Sequence, residues 1–278
     1  MRLTVRQALD QGTRLFEDGA LGAPRLTAEV LLCHALRRDK SFLYAHGDEE
    51  MTELAWIHYG RYLHERLAGK PTQYITKTQE WFGRPFRVSP DVLIPRPETE
   101  HVIEVALART PRRGRAADIG CGSGAIGVTW QIETGAPTVL ADISTAALGV
   151  ACANARSLGA KAECVASDLC EAFGGQAFDL VLSNPPYIPD PERGHLQREV
   201  RDFEPAVALF GGPTGVEIYS RLLAGTERIL KPGGWVVMEI GYQAQARILA
   251  LLGSRWRGAE TAQDLAGWPR VISAQYWP

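Results

Sequence analysis

Along the first seventy residues, apolar positions recur three and four apart. The stretches "TVRQALDQGTRLF", "LTAEVLLCHALRR" and "ELAWIHYGRYLHERLAG" each show this spacing, which predicts amphipathic helices. Gly19, Gly22 and Pro24 break the first from the second, and "AHGDEEM" separates the second from the third. A small all-helical domain over 1–70 is expected. The following segment, 71–95, mixes β-branched and aromatic residues with Gly83 and Pro85, which predicts a β-hairpin or an extended connector.

From about residue 98 the pattern alternates between the two periods. "TEHVIEVALAR" reads as a helix and "RAADIG" as a strand running into glycines. The helix "GAIGVTWQIE", the strand "TVLADIS" and the helix "STAALGVACANARSLG" follow, then the strands "AECVASD" and "FDLVLS". After a loop-rich stretch come the helix "GVEIYSRLLAGTERIL", the turn "KPGG", the strand "WVVMEIG" and two closing strands, "RGAETAQD" and "RVISAQYW". Repeated strand–helix units of this length predict an α/β domain over 96–278 with a doubly wound, mainly parallel, seven-stranded sheet.

Composition changes this picture little. With 278 residues, 45% hydrophobic and 22% charged, the chain has the make-up of a globular protein. A net charge of −2 supplies no basic field to advertise nucleic acid as the main partner. No apolar run is long enough to span a bilayer and the first residues are charged throughout, so a cytoplasmic protein is expected. Cys33, Cys121, Cys152, Cys164 and Cys170 form no C-x-x-C pair, which favours free thiols over disulfides or a zinc site. The histidines (His34, His46, His58, His64, His101 and His195) show no metal-ligand spacing, so no metal is expected.

Candidate chemistry gathers at the strand ends, where open α/β sheets bind ligands. The first strand ends in "DIGCGSG", where Gly120, Gly122 and Gly124 allow a tight turn and close approach to a ligand ahead of a helix N-terminus. Gly122, Gly124 and Gly127 also satisfy the dinucleotide fingerprint, so the glycines alone do not choose a cofactor. Asp118 leans the choice. A carboxylate there would repel a pyrophosphate and attract, directly or through water, an ammonium, which S-adenosylmethionine has and NAD lacks; a turn or helix-capping aspartate is the plainer alternative. Asp142, 22 residues after Gly120, is placed to accept from a ribose diol. Asp168 beside Leu169 suits an adenine, whose amino group donates while its face packs; a cap on the following turn is an equal alternative for Asp168.

The fourth strand runs into "SNPPYIP", residues 183–189. Pro185 and Pro186 stiffen the backbone and hold Asn184 and Tyr187 at little entropic cost. The Asn184 side-chain oxygen and the Pro185 carbonyl can together accept from one planar NH2 group, and Tyr187 offers a face for a planar π system. This suits methylation of an amide or exocyclic amine, whose delocalised lone pair must be oriented before it attacks.

"DIGCGSG", Asp142 and "SNPPYI" are similar to class I S-adenosylmethionine-dependent methyltransferases of the amino-methylating kind. Adding "GKPTQYITKTQEWFG", "VLIPRPETE", "EPAVALFGGPTGVEIYSRLL", "LKPGGWVVMEIGYQ" and "DLAGWPRV", the chain resembles the HemK/PrmC family over essentially its whole length. A monomer is expected, and the resemblance implies an enzyme. It implies methyl transfer from S-adenosylmethionine to the side-chain amide nitrogen of the glutamine in the Gly-Gly-Gln motif of class 1 peptide chain release factors. It further implies that Gly120, Cys121, Gly122, Ser123, Gly124, Asp142, Leu169 and Asn184 contact the cofactor, that Asn184, Pro185, Pro186 and Tyr187 hold the glutamine, and that the helical domain grips the protein substrate. Leu169 stands where related sequences can carry an aromatic residue. Glu98, Thr99 and Glu100 read equally well as favourable charge and polarity at a helix start or as neighbours of the cofactor's methionine end. The rival readings are a ribosomal-protein glutamine methyltransferase, a DNA or RNA amino-methyltransferase, an NAD-dependent oxidoreductase and a non-catalytic binding module. Asp118 and NPPY weigh against the oxidoreductase, and the intact Asn184 and glycines weigh against the inert module.

Overall fold

A computed structural model describes residues 3–278. The chain forms two units: one runs to Lys77 and takes in Gln197–Phe203, and the other holds Thr78–Leu196 and Glu204–Pro278.

The first unit is helical. It comprises α1 (Val5–Asp18), α2 (Pro24–Leu36), α3 (Lys40–Ala45), α4 (Glu53–Leu67) and α5 (Thr72–Thr76). Thr4 caps α1 in a capping box with Gln7, Asp39 caps α3 and Thr52 caps α4, each side chain accepting an otherwise unpaired helix N–H. Leu9, Phe16, Leu31, Leu32, Tyr59 and Leu63 make the core. Ile75 joins that core, which is why the unit reaches past residue 70, where sequence periodicity stops. A later helix, α9 (Arg198–Phe203), also belongs here, and Glu199 pairs with the largely buried Arg66 at 2.6 Å.

The second unit opens with the expected hairpin, β1 (Thr78–Trp81) against β2 (Arg84–Arg87). Alternation follows: α6 (Glu100–Arg109), β3 (Ala116–Ile119), α7 (Ala125–Thr134), β4 (Thr138–Asp142), α8 (Thr145–Leu158), β5 (Ala162–Ala166) and β6 (Phe178–Ser183). After the short pair β7 (Ile188–Pro189) and β8 (Phe210–Gly212) come α10 (Glu217–Ile229), β9 (Leu230–Glu239), α11 (Gln245–Leu251), β10 (Trp256–Gln263) and β11 (Pro269–Tyr276). The main sheet has seven strands in the order β10-β11-β9-β6-β3-β4-β5, all running the same way except β11, which is antiparallel to both of its neighbours. Residues of the central strands alternate between two cores, as the two-residue period requires. Ala117, Ile119 and Val181 face one, and Ala116, Leu180 and Leu182 the other. The hairpin's Trp81 and Phe86 pack into the second core, and Trp81 Nε1 donates to the Arg96 carbonyl at 2.8 Å.

Two local expectations change. "KPGG" lies inside β9 rather than before it, as an irregularity between the pairs Phe178–Leu230 and Leu180–Trp235. Cys152 on α8 and Cys164 on β5 are joined as a disulfide, because α8 folds back on the strand that it feeds; Cys33, Cys121 and Cys170 are free thiols. Among the described residues no helix is long and apolar enough to cross a membrane.

Candidate active site

Chain direction around the sheet reverses at β3, with β4 on one side and β6 on the other. A crevice at the carboxyl ends of these strands is the expected ligand site of such a fold. Ser183 closes the base by donating its hydroxyl to the Ile119 carbonyl at 2.7 Å, which ties together the strand ends that carry the two conspicuous segments. Above it lies a cavity of about 270 Å³.

One wall is the turn after β3. The N–H groups of Gly120 and Cys121 both donate to the Ala141 carbonyl, at 2.8 and 2.9 Å. Gly120 and Gly122 have φ of +71° and +53°, the left-handed region that side chains disfavour, and a Cβ on either would project into open space. Gly120, Cys121, Gly122 and Ser123 line the cavity. Asp142 lines it from the end of β4 while also bracing the turn. Its Oδ2 accepts from the Gly122 N–H at 2.8 Å and its Oδ1 from the Ser144 N–H at 2.9 Å, and each oxygen keeps a lone pair for a ligand. Asp168 and Leu169 line the far end. Leu169 has φ of +48°, held by Ser167 donating to its carbonyl at 2.7 Å. Asp168 is exposed and pairs with Arg221 of α10 at 2.7 Å, a partner that sequence reasoning missed.

Two candidates on this side do not line the cavity. Gly124 caps α7 and packs against Ala151. Asp118 is wholly buried beneath α7, with Oδ2 accepting from the Gly127 N–H at 2.8 Å and Oδ1 unpaired. Burial pushes its carboxyl up to about 7. The helix-bracing alternative therefore describes Asp118 better than direct contact with an ammonium.

The opposite wall carries NPPY. Asn184 and Pro186 line the cavity, whereas Pro185 is buried and Tyr187 half-buried beside it. The backbone of the segment is gripped by the later "FGGPTG": a Cβ on Gly211 would strike the Pro186 carbonyl, and one on Gly215 the Tyr187 carbonyl. The Tyr187 ring rests against Gly241, and its hydroxyl donates to Glu239 Oε1 at 3.4 Å. Asn184 Nδ2 donates to Thr99 Oγ1 at 3.1 Å.

Sequence reasoning missed most of the remaining lining. Val92, Leu93 and Pro95 come from the segment after the hairpin, Ile143 from the turn just after β4, and Pro205 and Val207 from the stretch after α9. Glu204 fastens two of these pieces: Oε1 pairs with Arg96 at 2.5 Å and Oε2 accepts from the Ile94 N–H at 3.1 Å. The apolar run "VLIP" was the available signal. Of the acids around Thr99, Glu100 accepts from the Phe82 N–H at 2.7 Å and so holds the hairpin rather than the cavity.

The donor set fits S-adenosylmethionine. An open glycine cradle, a carboxylate with spare lone pairs at Asp142, and apolar Ile143 and Leu169 match an amino-acid chain, a ribose diol and a base.

Comparison with known proteins agrees. Residues 7–76 match the family model described as PrmC N-terminal domain, and residues 100–198 match Methyltransferase small domain. A release factor glutamine methyltransferase of Koribacter versatilis is 43% identical over 274 residues, 97% of this chain and 98% of that protein. The protein of the same description from Nitratidesulfovibrio vulgaris is 39% identical over 98% of this chain and 95% of its own length. Among solved structures, a methyltransferase from Pyrococcus furiosus covers 71% of this chain and 91% of its own at TM-score 0.55 and 15% identity. A 16S rRNA methyltransferase from Thermus thermophilus, solved in complex with AdoMet and guanosine, covers 72% of this chain and 49% of its own at TM-score 0.53 and 20% identity. At these identities the two structures speak to the fold alone.

Proposed function

Because the chain belongs to the release factor glutamine methyltransferase family, we propose that it transfers a methyl group from S-adenosylmethionine to the side-chain amide nitrogen of the glutamine in the release factors' Gly-Gly-Gln motif. Asn184, at the cavity wall facing the glycine turn and held by Thr99, is the observation that carries this reading.

The turn from Gly120 to Ser123, with Asp142 and Leu169, holds the cofactor, whose sulfonium supplies an electrophilic methyl when bound. Asn184 Oδ1 and the Pro185 carbonyl accept the two N–H groups of the target amide, and so aim its nitrogen. An amide nitrogen is a weak nucleophile because its lone pair is delocalised. Fixing it in line with the methyl lowers the barrier chiefly by orientation. Acceptors beside the NH2 group also stabilise the positive charge that grows on nitrogen as the N–C bond forms. The surplus proton then leaves to solvent, so no strong base is required. Tyr187 walls the target side chain and limits water. The helical unit binds the body of the release factor, and that remote binding energy helps to hold the glutamine in place.

The test incubates the full chain with methyl-labelled S-adenosylmethionine, an intact release factor and, separately, a Gly-Gly-Gln peptide. Label is expected on the glutamine of both, with a much higher kcat/KM for the intact factor. Label confined to a ribosomal protein or to nucleic acid in a lysate would replace this reading with one of its rivals.

A further inference from the structure

Behind Asn184 runs a line of polar groups that methyl transfer, as described so far, leaves without a role. Thr99, 4% exposed, closes the short Pro97–Thr99 turn, and Glu239, 1% exposed, ends β9. Asn184 Nδ2 lies 3.1 Å from Thr99 Oγ1, and Thr99 Oγ1 lies 2.5 Å from Glu239 Oε2. The Tyr187 hydroxyl reaches the other carboxyl oxygen at 3.4 Å. Three separate stretches of chain thus meet at one buried carboxyl, which is costly to bury and, among the described residues, has no ion-pair partner within hydrogen-bonding distance.

Proton counting gives the line a direction. An ionised carboxyl accepts only, and a hydroxyl has a single proton to give. Burial, with Glu98 adding to it, pushes the Glu239 carboxyl up to about 7 against the hydrogen bonds from Thr99 and Tyr187 and the charge of Arg270. Above about pH 7 the carboxyl is therefore ionised and accepts from both hydroxyls. Thr99 therefore spends its proton on Glu239, and its oxygen can only accept from Asn184. The group that Asn184 presents to Thr99 must be NH2. Its oxygen is then left as the acceptor for whatever occupies the cavity. Were the amide turned over, its NH2 would meet the NH2 of a target glutamine, donor against donor, and the nitrogen would not be held.

We infer that Thr99 and Glu239 are positioning residues for methyl transfer, fixing the Asn184 amide with its oxygen toward the target nitrogen. The inference rests on the proposed role of Asn184 in receiving the substrate amide. Thr99 also lines the cavity, so a direct contact with the cofactor is the competing explanation.

Two measurements on the full chain decide between them. In the free protein, the Asn184 side-chain NH2 resonances, assigned by their loss in Asn184→Ala, should move in Thr99→Val and return near their original positions in Thr99→Ser. Resonances unmoved by Thr99→Val would overturn the inference whether or not the protein methylates release factors. In turnover with a release factor, Thr99→Val should lower kcat roughly 10- to 100-fold, the scale of a misplaced reacting group, while the cofactor Kd changes little. Thr99→Ala should give the same pattern, and Thr99→Ser should restore most of the rate. In an Asn184→Ala background, Thr99→Val should cost less than about twofold, because a residue acting through Asn184 has nothing left to position. Equal losses in both backgrounds would assign Thr99 an independent role and overturn the inference. A wild-type protein that labels no release factor would sink the functional reading and leave the spectral test standing.

Discussion

The glycine turn and the NPPY segment line one cavity in different ways. The first presents backbone fixed by its own N–H hydrogen bonds, whereas the second presents a side chain, Asn184, aimed by other side chains. In the turn, two N–H groups converge on the Ala141 carbonyl and a third on Asp142. Such a wall tolerates most changes of neighbouring side chain and offers a ligand an open cradle. Asn184 instead owes its orientation to Thr99 and Glu239, residues 85 and 55 positions away in the chain. The difference teaches where damage should appear. Changes to the turn wall should weaken cofactor binding, and changes to the NPPY wall should slow the methyl transfer that follows.

The sharpest break in this contrast is Asn184→Ala. It removes one preorganised acceptor that acts on the nitrogen as it attacks, so kcat should fall roughly 10²–10³-fold. Cofactor affinity, measured by calorimetry, should change far less. Near-wild-type turnover would reduce NPPY to a strand terminator.

A second effect, of a few kcal/mol, concerns the buried carboxyls that brace each wall. Burial pushes both Asp118 and Glu239 up to about 7, from ordinary values of 3.8 and 4.5. Between about pH 4 and 7, each folded-state group thus holds a proton that the unfolded chain has already released. The stability from that proton is whole below about pH 4 and is lost as the pH rises to about 7, on the order of a few kcal/mol for each group. Unfolding of the free protein in denaturant should show this decline. Asp118→Asn should flatten it without removing it, since Glu239 remains. A stability that climbs across this window in the wild type would contradict the burial account.

What was legible in the sequence divides along the same line. The strands, the glycine turn and NPPY are local patterns, written in periods of two and about four residues or in consecutive glycines and prolines, and they appear where expected. Asp142, singled out by its position at a strand end, lines the cavity. Pairings between distant segments leave no such trace. Nothing local says that Glu204 will hold Arg96, that Gly215 exists to let the Tyr187 carbonyl approach, or that residues 197–203 will fold with the helical unit. Asp118 shows the limit most clearly. Its place at the strand mouth was legible, but its direction depended on the Gly127 N–H arriving from the next helix.

Asp142→Ala tests the turn wall. It removes an acceptor for the ribose and also the brace on the Gly122 and Ser144 N–H groups. Charge-assisted hydrogen bonds are worth about 1.5–3 kcal/mol each, so S-adenosylmethionine should bind roughly 10- to 150-fold more weakly. At saturating cofactor, kcat should return most of the way to wild type. A kcat loss as large as that of Asn184→Ala would erase the distinction between the walls.

The smallest effect should come from Tyr187→Phe, and it separates the two things that Tyr187 does. The ring packs on Gly241 and remains in the variant, so the wall beside the target side chain survives. Only the hydroxyl goes, and with it a hydrogen bond that is long, at 3.4 Å, and therefore weak. Glu239 Oε2 keeps its shorter bond from Thr99, so Asn184 stays oriented. Turnover should fall only about two- to fivefold, within the roughly 0.5–1 kcal/mol of a weak hydrogen bond. Tyr187→Ala removes the ring as well and should raise KM for the release factor, because the target glutamine then loses its wall. If Tyr187→Phe proved as damaging as Asn184→Ala, the hydroxyl would have to act on the reacting nitrogen itself, and the NPPY wall would work by proton transfer rather than by orientation.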